Sequence, residues 1–62
     1  MITLEDILSI ATSDINIMDG TFAAMMINHN FDMWRYYDTQ FLNKRVTKID
    51  TYCDKIRVWL EM

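Results

Sequence analysis

Leu4, Ile7, Leu8 and Ala11 recur at spacings of three and four, which predicts a short amphipathic helix over residues 2–11. Thr3 is placed to cap it and Asp6, three residues on, to complete a capping box. Ile2 and Ile7 stand where a hydrophobic staple needs them, and Glu5 with Asp6 fills the first turn, where the helix dipole favours negative charge. The period then changes. In "DINIMDG", Ile15 and Ile17 alternate with Asn16 and Met18 before Asp19-Gly20, the signature of a short strand closed by a turn. The period of "TFAAMMINHN" predicts a second helix: Thr21 can cap it, its face carries Phe22, Met25, Met26 and His29, and Asn28 and Asn30 are its terminators. Further helical turns through "FDMWRYYDTQFL" are left open, with Phe31, Trp34 and Tyr37 or Phe41 as their apolar positions.

The last third alternates most clearly. In "RVTKIDTYCDKIRVWLEM" two β-branched runs flank Asp54-Lys55. With those two residues as a hairpin loop, Cys53 faces Ile56, Thr51 faces Val58 and Ile49 faces Leu60 on one side. Tyr52 faces Arg57, Asp50 faces Trp59 and Lys48 faces Glu61 on the other. Cross-strand pairs of these kinds contribute roughly 0.2–1 kcal/mol each, and a slip of one residue would mix the faces. The loop lacks the Gly that a type I′ turn prefers, and a slightly longer turn would keep the faces while changing the pairing. The expected architecture is α+β, a single small domain over residues 1–62 in the order α-β-α-β-β. Its C-terminal β-hairpin belongs to a three-stranded antiparallel sheet packed on the helices. The outer sheet face, with Lys48, Asp50, Tyr52, Arg57, Trp59 and Glu61, is left to solvent or a partner.

Composition narrows the chemistry. Sixty-two residues bury only about 60% of the surface an unfolded chain exposes, and small folds commonly gain stability from a disulfide, a metal or a partner. One cysteine allows no intrachain disulfide and fits a reducing cytoplasm. One cysteine and one histidine do not make a zinc site, so no metal or other cofactor is expected. The start "MITLEDIL" has acids where a secretory signal has bases, and the longest uncharged run, residues 20–31, is too short to span a bilayer. A soluble chain of the bacterial cytoplasm is expected, with no membrane partner. Hydrophobic content of 52% is too high for disorder.

Catalytic constellations are weak. His29 with Asp32 and Asp38 would form a base–orienter pair or a metal pair only if a helix ran through Asn30. Cys53 falls on the inward hairpin face, where a cysteine acts as a small hydrophobe. Met25 and Met26, with Met18 and Met33, read as core packing in preference to an adaptable binding surface. A non-enzymatic protein is expected. The aromatic run is different: Phe31, Trp34, Tyr36, Tyr37 and Phe41 exceed what so small a core can hold. Trp, Tyr and Arg are enriched at interface hot spots, and an exposed apolar patch marks an interaction site. The candidate partner-binding set is Trp34, Tyr36, Tyr37 and Trp59 as anchors, with Asp32, Asp38 and Asp50 supplying charge. A net charge of −3 speaks against direct nucleic-acid binding, although Arg35, Lys44, Arg45 and Lys48 offer a weak basic set. Conversely Asp14, Asp19, Asp32, Asp38, Asp50, Asp54 and Glu61 would imitate phosphates if they gathered on one side.

The plan "TLEDILSIA", "DINIMDGTF" and "VTKIDTYCDKIRVWLEM" resembles short acidic α+β proteins encoded by bacteriophages and mobile elements, among them anti-CRISPR and other anti-defence inhibitors. The resemblance is architectural and transfers no site residue. It implies a protein that binds a host protein or ribonucleoprotein complex stoichiometrically, such as a CRISPR-Cas effector in the bacterial cytoplasm, and inhibits or modulates it by occlusion or partial nucleic-acid mimicry. A charge of −3 is mild for a mimic, and the basic "NKR" opposes one. The alternatives are a small structural or regulatory homodimer whose aromatic patch is the self-interface, and a weak nucleic-acid binder.

Overall fold

The capping box at Thr3 forms as its spacing predicts. The Asp6 N–H donates to Thr3 Oγ1 at 3.4 Å and the Thr3 N–H to Asp6 Oδ2 at 3.0 Å, starting α1 (Leu4–Ile10). The computed structural model describes residues 1–30 and 32–61; Phe31, Met62 and the side chain of Asp32 lie outside the described part. Leu4 and Leu8 are buried and Ile7 partly so. Ile2 does not act as a staple, because it is exposed. Its carbonyl instead accepts the Val46 N–H at 2.8 Å, and the Leu4 N–H donates to the Lys44 carbonyl at 3.0 Å. The chain ahead of the helix thereby lies along the start of a strand.

Four strands follow: β1 (Ile15–Asp19), β2 (Phe22–Ile27), β3 (Val46–Tyr52) and β4 (Lys55–Leu60). They form one sheet in the order β2-β1-β4-β3. β1 and β2 make an antiparallel hairpin, β3 and β4 another, and β1 joins β4 in parallel. Between β2 and β3 the chain crosses through a 3-10 turn (Asp32–Tyr36) and a one-turn helix, α2 (Thr39–Leu42). Asp38 caps α2, accepting the Gln40 N–H at 2.8 Å. No helix of the described residues is long and apolar enough to cross a membrane.

The α+β class is as expected, but the sheet has four strands and is mixed. Residues 21–30 are not a helix. Gly20, at φ +61°, opens a two-residue loop with Thr21, and the chain returns along β1 with Ile27 opposite Ile15 and Met25 opposite Ile17. Alanine and methionine favour helix only by tenths of a kcal/mol, less than a strand gains from pairing with a largely buried neighbour. A register shift between Ile17 and Met18 offsets β2 around Ala24. Because β2 is an edge strand, Met25 and Met26 are exposed rather than core, as is Met33; Met18 is buried.

The C-terminal hairpin also turns one residue earlier than expected. Cys53 and Asp54 form its loop, at φ 51° and 64°, the pair of left-handed residues that a type I′ turn requires. Cys53 is therefore exposed at a turn and not inward. Thr51 faces Ile56, Asp50 faces Arg57, Ile49 faces Val58 and Lys48 faces Trp59. Each cross-strand neighbour moves by two positions, so the two faces keep their residues.

Leu4 and Leu8 of α1, Trp34 of the 3-10 turn and Leu42 of α2 form one core cluster with Ile15, Ile17, Ile27, Val58 and Leu60 of the sheet. All helical elements contributing to it lie on the same sheet face. Trp34, 7% exposed, is its largest side chain, so Trp34→Ala costs about 3–5 kcal/mol. A chain of this length has about 3–9 kcal/mol in total, and urea denaturation of the variant should find it largely unfolded. Cys53→Asn with Asp54→Gly installs the residues best suited to the left-handed loop. That double variant should raise stability by about 1 kcal/mol, read as a higher urea midpoint at unchanged slope.

Candidate interaction surface

The registers lay out the sheet in rows that cross all four strands. Thr51-Ile56-Ile15-Ile27 and Ile49-Val58-Ile17-Met25 turn towards the helices. Alternating with them are Asp50-Arg57-Asn16-Met26 and Lys48-Trp59-Met18-Ala23, which turn away. The core cluster draws on none of the residues in these two outer rows, and this face carries the candidate surface.

Its centre is Arg57. The guanidinium donates to both carboxylate oxygens of Asp50, Nε to Oδ1 at 2.7 Å and Nη2 to Oδ2 at 2.6 Å, a planar fork matched to a carboxylate. It also lies 5.0 Å from the centroid of the Tyr52 ring and 5.3 Å from that of Trp59. The Lys48 ammonium stands 4.6 Å from the Trp59 centroid. Cations over aromatic faces at these distances attract by about 0.5–1 kcal/mol where water has access. The Trp59 indole N–H reaches the Gly20 carbonyl at 2.7 Å, which ties β4 to the β1–β2 turn. Met18, beside Trp59 in register, is buried without belonging to the core cluster. Tyr52 and Met26 remain exposed at opposite sides of the face. Hydrogen bonding to Arg57 holds the Asp50 carboxyl below its ordinary pKa of 3.8, and the same bond raises that of Arg57.

Of the residues expected to bind a partner, Trp59 and Asp50 lie here. Trp34 does not: it is in the core, with the Arg35 guanidinium 4.6 Å from its ring centroid. Tyr37 is half-buried against the core, edge-on to Phe41 at 6.1 Å. Tyr36 is 84% exposed but sits in the crossover, in the helical layer. Asp38 serves as a helix cap. The side chain of Asp32 is outside the described residues. Tyr52, Arg57 and Lys48 join the site because the hairpin places alternate residues together, a signal already present in the alternation of β3 and β4.

The other charges have local partners. Arg45 pairs with Glu61, which neutralises the arginine of "NKR". Asp6, Asp14, Asp38, Asp50 and Glu61 all bond within the chain. Asp19 and Asp54 stand at opposite ends of the sheet, at the turns of the two hairpins. The described acids are therefore spread between both ends of the sheet and local partners within the chain. His29 pairs with Asp14, while Asp38 caps α2. Asp14 Oδ1 accepts the His29 backbone N–H at 3.1 Å and lies 2.8 Å from Nδ1, which lowers the Asp14 pKa. This contact fastens the segment after β2 to the one that enters β1. No group of three or more metal-ligating side chains occurs among the described residues.

Asp14 and Asp50 both have folded-state pKa values below 3.8. Their contribution to stability is complete above the unfolded-state value of about 3.9 and is lost as pH falls through the depressed folded values. Urea midpoints should accordingly fall on acidification below about pH 4. Asp50→Asn and Asp14→Asn should each flatten that fall while lowering stability at neutral pH; an unchanged acid limb in both would remove these pairs from the account.

No protein-family model, curated protein or solved structure matches this chain, so the functional reading of the surface rests on its own chemistry.

Proposed function

We propose that this chain is a non-enzymatic interaction protein whose recognition surface is the outer sheet face centred on Trp59, Arg57, Tyr52 and Lys48. The observation that supports this is the mutual fixing of those side chains: Arg57 is forked onto Asp50, Trp59 is tied to Gly20 and overlaid by Lys48, and Tyr52 is faced by Arg57. Aromatic and Arg side chains held in place before binding lose little rotamer entropy on contact, and these residue types carry most of the affinity of protein interfaces. The face presents π surfaces and cation edges in a small area, which suits a protein partner offering apolar side chains and carboxylates or carbonyls.

The reading most consistent with the small acidic α+β plan is a phage-type inhibitor or modulator that occludes a host protein complex, such as a CRISPR-Cas effector. Occlusion is favoured over phosphate imitation because most acids are engaged in caps and pairs inside the chain. It is favoured over nucleic-acid binding because Arg57 and Arg45 are neutralised by Asp50 and Glu61, leaving few cations to displace counterions.

The test is capture from bacterial lysate with tagged wild type, Tyr52→Ala, Trp59→Ala and Tyr36→Ala, each first confirmed folded by circular dichroism. A stoichiometric protein partner should be retained by wild type and Tyr36→Ala. It should weaken by about tenfold or more in the Tyr52 and Trp59 variants, the effect of losing an interface anchor. Absence of a partner, or loss through Tyr36→Ala alone, would reject this surface.

A further inference from the structure

The two edges of the sheet are treated differently. Edge strand β3 carries Lys48 and Asp50 and an irregular register between Val46 and Lys48. Its start is also covered by the segment ahead of α1, through Val46 to Ile2 and the Thr3–Arg45 bridge. Charges, irregularities and covering segments are the usual means of stopping an edge from pairing with another chain. Edge strand β2 reads FAAMMI, with no charge and no proline. Phe22 is 69% exposed, Met26 58% and Met25 37%. Its one irregularity lies around Ala24, and residues 25–27 beyond it are regular.

The direction of the free hydrogen-bonding groups follows from the sheet. The Ile56 N–H donates to the Asp14 carbonyl at 2.9 Å. In a parallel ladder this turns the backbone groups of Asn16 towards β4 and those of Ile15 and Ile17 towards β2. Ile27 and Met25 face back to Ile15 and Ile17, so the N–H and carbonyl of Met26 point out from the sheet edge. An antiparallel copy of the same strand satisfies both groups at once.

We infer that the β2 edge is a self-association site, at which a second copy of this chain adds its own β2 in antiparallel register about a twofold axis beside Met26. Each Met26 then exchanges both backbone hydrogen bonds with its counterpart, and Met25 faces the counterpart of Ile27. The two sheets become one of eight strands. A second copy is the occupant that this strand's charge permits: no like charges meet, since β2 carries none, and self-complementarity is what a twofold interface requires. A mainly apolar groove of about 520 Å³, lined by Ile17, Met18, Ala24, Met25, Phe41 and Leu60 with Asp19 at its margin, adjoins the same strand, so pairing extends its apolar wall. Phe22, Met26 and Met25 are 69%, 58% and 37% exposed, so with side chains of about 200 Å² each they offer roughly 300 Å² per copy, less than a tight interface buries. The dimer is therefore concentration-dependent. Its interface is the strand edge: Met26 borders the outer face on the side away from Tyr52, and Trp59, Arg57 and Lys48 stay open, so the inference does not rest on the proposed function.

Sedimentation equilibrium from about 10 µM to about 1 mM tests it, on wild type, Met26→Lys and Met26→Pro. Lysine sets like charges opposite one another across the axis. Proline removes the outward N–H, which no strand of the same sheet uses, so the fold tolerates it. Wild type should pass from monomer to dimer across the range, and each variant should shift the midpoint at least tenfold upward while circular dichroism stays unchanged. Should one variant unfold, the other still decides. A wild type that stays monomeric at the highest concentration overturns the inference. So does a dimer that persists in a folded variant, which would place the interface elsewhere, or a β2 that pairs only with a strand of another protein.

Discussion

The parallel ladder of Ile15, Asn16, Ile17 and Met18 with Ile56, Arg57, Val58 and Trp59 joins two hairpins that separately would be marginal in water. Its consequences reach every part of the molecule. It buries Ile15, Ile17 and Val58 at the centre of the sheet, and places the crossover, with its 3-10 turn and α2, between β2 and β3. α1, the 3-10 turn and α2 contribute to the core from one side, and the core cluster of the described residues takes nothing from the other. The open face is thus a consequence of the topology, and its residues must stabilise one another laterally. Forked ion pairing and cations over rings do this without a second hydrophobic layer.

How far the sequence disclosed this depends on how local each feature is. The capping box at Thr3 is a contact between residues three apart and was fully legible. The division of β3 and β4 into two faces was legible because alternation has period two, even though the loop moved by a residue to Cys53 and Asp54. β2 was not. The offset around Ala24 interrupts its alternation, and Phe22, Met25 and Met26 then fall at spacings that also fit a helix face. The parallel pairing joins segments far apart in the chain and leaves no local mark. The Asp14–His29 contact shares that blindness, since it follows only once Ile15 is set opposite Ile27.

The candidate surface shows the same division. Trp59 and Asp50 were assigned outward from alternation alone, whereas Trp34 was assigned to the surface by counting aromatics against core capacity. That count omitted how much space one helical layer leaves above a four-stranded sheet. Trp34 fills the space between α1, α2 and the sheet, and Met25 and Met26, assigned to the core, are displaced to the edge. Charge was misread in a related way. The acids read as a dispersed electrostatic reserve, but Asp14, Asp38, Asp50 and Glu61 of that set serve as caps or ion-pair partners, and the net charge describes the chain better than any one face of it.

The chain's two indoles report on different things. Trp34 is enclosed in the core, while Trp59 lies half-buried on the opposite side of the sheet with its N–H held by the Gly20 carbonyl. Intrinsic fluorescence is therefore the sum of a shielded emitter that senses whether the core is intact and a wetter one that senses what touches the outer face. A Trp59→Phe chain would give a pure folding signal from Trp34, and its difference from the unmodified chain would isolate contact at the surface. The protein carries, without any label, separate optical channels for folding and for recognition.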